Sequence, residues 1–109
     1  MSDPPDLRVV AMSIVDSNRF MTLATADGDG VPWASPVWYA PVEYREFLWV
    51  SSPEATHSKS LAVRPQLAIV IFDSHEAGGW KALYMSAIAA WPATRAARIR
   101  PAVALRIAD

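Results

Sequence analysis

Residues 31–40, VPWASPVWYA, have the branched and aromatic content of a β-strand, yet Pro32 and Pro36 sit inside it. Proline donates no ladder hydrogen bond, so such a strand lies at a sheet edge, is bulged, or pairs on one side only. The preceding run, RFMTLATA (19–26), is short and β-rich, and Asp27-Gly28-Asp29-Gly30 breaks it as a hairpin loop would. Two antiparallel arms, the second of them awkward to place in the middle of a sheet, are therefore the first constraint on the fold.

The other segments add to this hairpin. Asp3-Pro4-Pro5-Asp6 is a helix-start signal, and Leu7, Val10, Ala11, Ile14 and Val15 recur at helical spacing, which predicts a helix over 6–17. EFLWVSS (46–52) reads as a third strand. Residues 54–64 follow as a short helix that Pro65 ends. LAIVIFD (67–73) is apolar almost throughout, the pattern of a strand covered on both faces. DSHEAGG (73–79) is a turn, and WKALYMSAIAA (80–90) is a fifth strand or a helix. The sum is a mainly β chain with helices, a small antiparallel barrel with helical additions.

At 109 residues the chain makes one domain. Apolar residues are 52% and charged residues only 19%, with five tryptophans. Some of that apolar surface is expected to be covered by a partner subunit or a planar ligand. A net charge of −1 lacks the electrostatic footprint of a nucleic-acid binder. The absence of cysteine removes disulfides, thiolate metal sites and a cysteine nucleophile. MSDPPDLRVV has no signal-peptide pattern and no run is long enough to span a bilayer, so the expectation is a soluble, cytoplasmic protein away from membranes.

Residues 91–109, WPATRAARIRPAVALRIAD, differ in kind. Four arginines against one aspartate make the segment +3, leaving −4 for residues 1–90. Alanine, arginine, proline and aliphatics fill it, without turn chemistry. A basic amphipathic tail and a foreign, frame-shifted end are both open readings. The expected organisation is a domain over 1–90 and an atypical tail over 91–109, on which no functional residue is placed.

The richest chemistry lies in FLWVSSPEATHSKSLAVRP (47–65). Ser52 as a helix N-cap, Pro53 at the first helical position and Glu54 in the first turn account for three residues. Ser51, Thr56, His57, Ser58 and Lys59 stay unexplained by that reading. A helix N-terminus with hydroxyls and a lysine is also suited to a phosphate. The residues alone leave both readings open. Elsewhere, His57 and His75 stand 18 positions apart without cysteine, so no metal site is expected. No catalytic triad is evident around Ser58 and His57. Trp33, Trp38, Tyr39, Trp49, Trp80 and Tyr84 fall on strands, where core or interface packing is the default and an aromatic wall for a planar ring is the alternative.

Taken in order, RFMTLATADGDGVPWASPVWYAP, FLWVSSPEATHSKSLAVRPQLAIVIFD and KALYMSAIA resemble the pyridoxamine 5′-phosphate oxidase-like, FMN-binding split-barrel family over residues 7 to 90. The matching features are Met21-Thr22-Leu23-Ala24-Thr25, the glycine-containing hairpin, Ser35-Pro36-Val37-Trp38, the hydroxyls Ser51 and Ser52, and Ser58-Lys59 opening the helix. The resemblance implies a split β-barrel that dimerises, with FMN at the dimer interface. By position, Ser51, Ser52, Ser58 and Lys59 would hold the phosphate, with His57 beside them. Backbone atoms around Pro36, Val37, Trp38 and Tyr39 would face the flavin ring, and Trp80 and Lys81 match the approach of a partner subunit. The tail matches neither the last strand nor the helix of the family, so a split barrel lacking a regular last strand is expected. The implied function is a flavin-dependent oxidoreductase acting as a homodimer on a small molecule. A deazaflavin-dependent reductase and a non-catalytic, truncated flavin-binding or structural module are the alternatives, and some relatives bind haem.

Overall fold

The computed structural model of the chain describes residues 6–75, 81–90 and 96–106. Helix α1, Leu7–Ser17, begins at Asp6, whose carboxylate accepts a 2.9 Å bond from the Arg8 N–H. It ends where Asn18 Nδ2 donates to the Ile14 carbonyl. Ile14 and Val15 on one face enter the core, as their spacing predicts.

Strands β1, Phe20–Ala26, and β2, Pro32–Trp38, form the expected hairpin, in register from Phe20↔Trp38 to Ala26↔Pro32. Asp27 Oδ1 closes the loop by accepting from the N–H groups of Asp29 and Val31, and Gly30 takes φ +83. That is a left-handed conformation glycine adopts without strain. The sheet order is β2-β1-β5-β6-β7-β4-β3, so the proline-bearing strand is an edge.

Past Trp38 the same run continues as β3, Ala40–Val42, which pairs with β4, Glu46–Leu48, at the opposite end of the sheet. Tyr39 is the division, its N–H going to the Arg19 carbonyl. One continuous segment thus touches both ends of a sheet without closing it by hydrogen bonds, which is a split barrel. The division also shortens the third strand, expected to reach Ser52. Beyond Leu48 the next cross-strand partner would be Tyr39, whose amide is committed elsewhere.

Helix α2 spans Thr56–Val63 and starts two residues later than expected. Ser52 to Ala55 form a turn instead, with Ala55 N–H bonded to the Ser52 carbonyl. At the other end Arg64, before Pro65, is forced to extended angles.

Strands β5, Gln66–Asp73, and β6, Lys81–Ala90, pair from Gln66↔Ile88 to Asp73↔Lys81, so residues 81–90 are strand rather than helix. The expectation that β5 is covered on both faces does not hold within one chain. Leu67, Ile69 and Ile71 are buried, while Ala68 and Phe72 are exposed. Both helices pack on the inner face, α1 against β5 and β6 and α2 against β1 and β2, so that among the described residues neither helix covers the outer face.

The segment expected to be an atypical tail contributes β7, Ala96–Arg106. It pairs with β6 on one side and β4 on the other, filling the gap between them. A last strand is therefore present. Its irregularity is local: the ladder shifts between Met85↔Val103 and Ala87↔Ile99, where residues 100–102 lie opposite Ser86. Pro101 sits in that bulge, where no ladder amide is needed.

Candidate functional site

The chain from β4 into α2 brings several of the expected residues together. Ser51 Oγ lies 2.6 Å from His57 Nε2, across the turn that separates them. His57 is buried, and its pKa is lowered because desolvation penalises the charged imidazolium. Burial therefore favours the neutral ring in this pair.

Ser52 does not cap α2. Its Oγ accepts from the Glu54 N–H at 3.1 Å, stabilising the turn, and the cap position belongs to Ala55, whose side chain cannot accept a bond. The first-turn N–H groups of α2 are thus left without an intrahelical or side-chain acceptor. Thr56 and Lys59 are exposed on that turn. Lys59 Nζ lies 3.5 Å from Glu54 Oε2. Ser58 faces inward, wholly buried, and its hydroxyl has no partner among the described residues. It differs in this from Ser52 and Lys59, which are exposed, and from Ser51, which is half-buried.

Beside this turn a cleft of about 420 Å³ is lined by Trp38, Tyr39, Ala40, Leu48, Trp49 and Val50. It follows from the strand division at Tyr39 and the early end of β4. Val50, 91% exposed, connects the cleft to Ser51. Trp49 is buried, and its indole N–H has no partner among the described residues. Tyr39 is occupied structurally: its hydroxyl donates to the Val15 carbonyl at 2.8 Å and its ring tilts against Phe47. Burial first, and Asp16 second, raise its pKa to about 12.

Of the other expected residues, Val37 is buried in the core, whereas Pro36 and Trp38 point to the outer face. Trp38 packs edge-on against Phe20 there. Lys81 opens β6 opposite Asp73, and Trp80 lies outside the described residues.

Three features escaped the sequence reading. Glu54 and Lys59 are five apart, which is not a helical pair spacing, so nothing local pointed to their contact. Tyr44 reaches 28 residues back to Asp16 with no local signal either. Asp73 accepts from His75 Nδ1, and this pair did have a signal in its two-residue spacing. Burial pushes the Asp73 pKa up, but the His75 bonds and Asn18 outweigh it and leave it lowered. No cluster of three or more possible metal ligands occurs among the described residues. No helix among them is long and apolar enough to cross a membrane.

A family model described as pyridoxamine 5′-phosphate oxidase matches residues 10–107. No curated protein matches the chain by sequence. Among solved structures, HutZ, the heme storage protein of Vibrio cholerae, is similar at a TM-score of 0.73 and 19% identity, over 94% of this chain and 95% of its own. A heme binding protein from Mycobacterium smegmatis has a TM-score of 0.70 at 28% identity, with 80% of this chain covering 37% of it. A FAD-binding protein from Mesorhizobium loti has a TM-score of 0.66 at 21% identity, with 74% of this chain covering 58% of it. The chain therefore spans about a third and about a half of the latter two.

Proposed function

The chain belongs to the pyridoxamine 5′-phosphate oxidase family, and from that premise we propose that it is an FMN-binding, cytoplasmic homodimer acting as a flavin-dependent oxidoreductase on a small molecule. The observation that carries this reading is the adjoining of an anion site to a ring-sized cleft. Ser51, Ser52, Lys59 and the uncapped amides of α2 suit a phosphate, and the Trp38–Val50 cleft beside them suits a planar ring. Ser58 is left out, since its hydroxyl is buried.

Bound FMN would supply the hydride chemistry. The chain's own residues hold and orient: Lys59 supplies charge, His57 fixes the Ser51 hydroxyl, and Tyr39 locks the cleft wall to α1. The homodimer draws support from the outer sheet face. None of the outward-facing described positions of β1, β2, β5 and β6 is charged, and Phe20, Trp38, Val70, Phe72 and Tyr84 are among them. Pro36 and Trp38 lie on the same face, so a second copy there would also enclose the cofactor.

The test is titration of FMN, with riboflavin as the phosphate-free control, followed by gel filtration. FMN should co-elute and bind more tightly than riboflavin. Lys59→Ala should lower FMN affinity about ten- to a hundred-fold through loss of a charge-assisted contact. Equal binding of the two flavins would remove the phosphate site. A second reading, haem, is favoured by the exposed imidazole of His75, braced by the nearly buried Asp73 carboxylate as metal-ligating histidines often are. A Soret band on addition of haemin, lost in His75→Ala, would decide for it. Preferential binding of a deazaflavin cofactor would instead favour the reductase of the same fold.

A further inference from the structure

Lys59 brings the formal positive charge to the candidate anion site, and it is already engaged. Its Nζ lies 3.5 Å from Glu54 Oε2, and both side chains are largely exposed. Helix geometry does not create this contact, because Glu54 precedes α2. The Ser52–Ala55 turn does: Glu54 N–H donates to Ser52 Oγ and Ala55 N–H to the Ser52 carbonyl. The turn that presents the hydroxyls therefore also folds a carboxylate back to the start of the helix. A carboxylate and a phosphate compete for the same ammonium and repel each other.

We propose that Glu54 is a specificity-determining residue of this site, a built-in competitor that occupies Lys59 and lowers affinity for ligands ending in a phosphomonoester dianion. The proposal rests on the phosphate reading above. An exposed pair of this kind is weak in itself and readily exchanged. Glu54 thus tunes the site without blocking it, and makes a phosphate ligand one that comes and goes. Because both groups face water, the effect belongs to low ionic strength and fades as salt screens it.

The experiment measures flavin fluorescence quenching by the wild-type chain, Glu54→Gln, Lys59→Ala and the double variant. Each is titrated with FMN and with riboflavin at two salt concentrations. Glu54→Gln should tighten FMN about three- to ten-fold at low salt and leave riboflavin unchanged. The gain should shrink in the Lys59→Ala background and at high salt. Unchanged or weaker FMN binding by Glu54→Gln, with wild type still preferring FMN over riboflavin, would overturn the role of Glu54 alone. A wild-type chain that binds both flavins equally, or neither, would overturn the phosphate reading and this proposal with it. Glu54 is exposed and outside the core, and circular dichroism checks that its variant folds.

Discussion

His57 is held where only its uncharged form is comfortable. Burial lowers its pKa below the ordinary 6.5, so the folded chain favours the neutral ring more than the unfolded chain does. A lowered histidine pKa gives stability that is present above the unfolded value and lost as pH falls through it toward the folded one. Urea midpoints should therefore drop as pH falls through the ordinary histidine range, and His57→Gln should flatten that slope. An equal slope in both proteins would place the pH dependence elsewhere. At this scale the sequence was partly legible. The grouping of Ser51 with His57 at one turn was expected from the sequence, and their side chains stand 2.6 Å apart. The burial of Ser58 did not, because which side of a short helix faces inward depends on what packs against it.

At the scale of elements, the turn between β3 and β4 stores strain. Glu43 and Tyr44 both take positive φ, 53° and 57°, with no glycine or asparagine to ease it. The Tyr44 hydroxyl donates to the Asp16 carboxylate, which ties the turn to α1 and holds the residues in place. Glu43→Asn should raise stability by roughly 0.5–1 kcal/mol, since asparagine tolerates this conformation and the Glu43 side chain is exposed. Thermal or urea unfolding reads it directly, and a destabilised variant would count against the strain. Tyr44→Gly should gain less, because it relieves strain and removes the Asp16 bond together. Elements governed by neighbours in sequence were legible: α1 with its Asp6 start, the β1–β2 hairpin, and the end of α2 at Pro65. Elements governed by remote partners were not. β4 stops at Leu48 because the Tyr39 amide serves Arg19, and β7 forms because β6 and β4 leave a gap that residues 96–106 fill.

For the whole molecule, the outer face of the sheet, which neither described helix covers, is the dominant feature. Val70 lies on it, paired across the ladder with Thr22 and Tyr84 and away from the core. If a second copy covers this face, each dimer contains the position twice. Val70→Lys should then weaken self-association by more than about a hundred-fold while each chain still folds. Sedimentation with a parallel FMN titration checks both consequences, monomer formation and loss of cofactor affinity. A variant that stays dimeric would move the interface to another surface.

The apolar run LAIVIFD announced a strand, though not the exposure of Ala68 and Phe72 on one of its faces, and of the five tryptophans Trp33 and Trp38 are exposed. The strand itself is a property of short-range pattern, which local sterics and alternation translate into structure without help. Only the tertiary structure decided which face of the sheet α1 and α2 cover, since coverage depends on where the two helices land. Likewise, Glu54 met Lys59 through the fold of a turn rather than through helical spacing. Hydrogen-bond partners and packing surfaces drawn from distant segments are set by the closure of the sheet as a whole, and no window of sequence contains them.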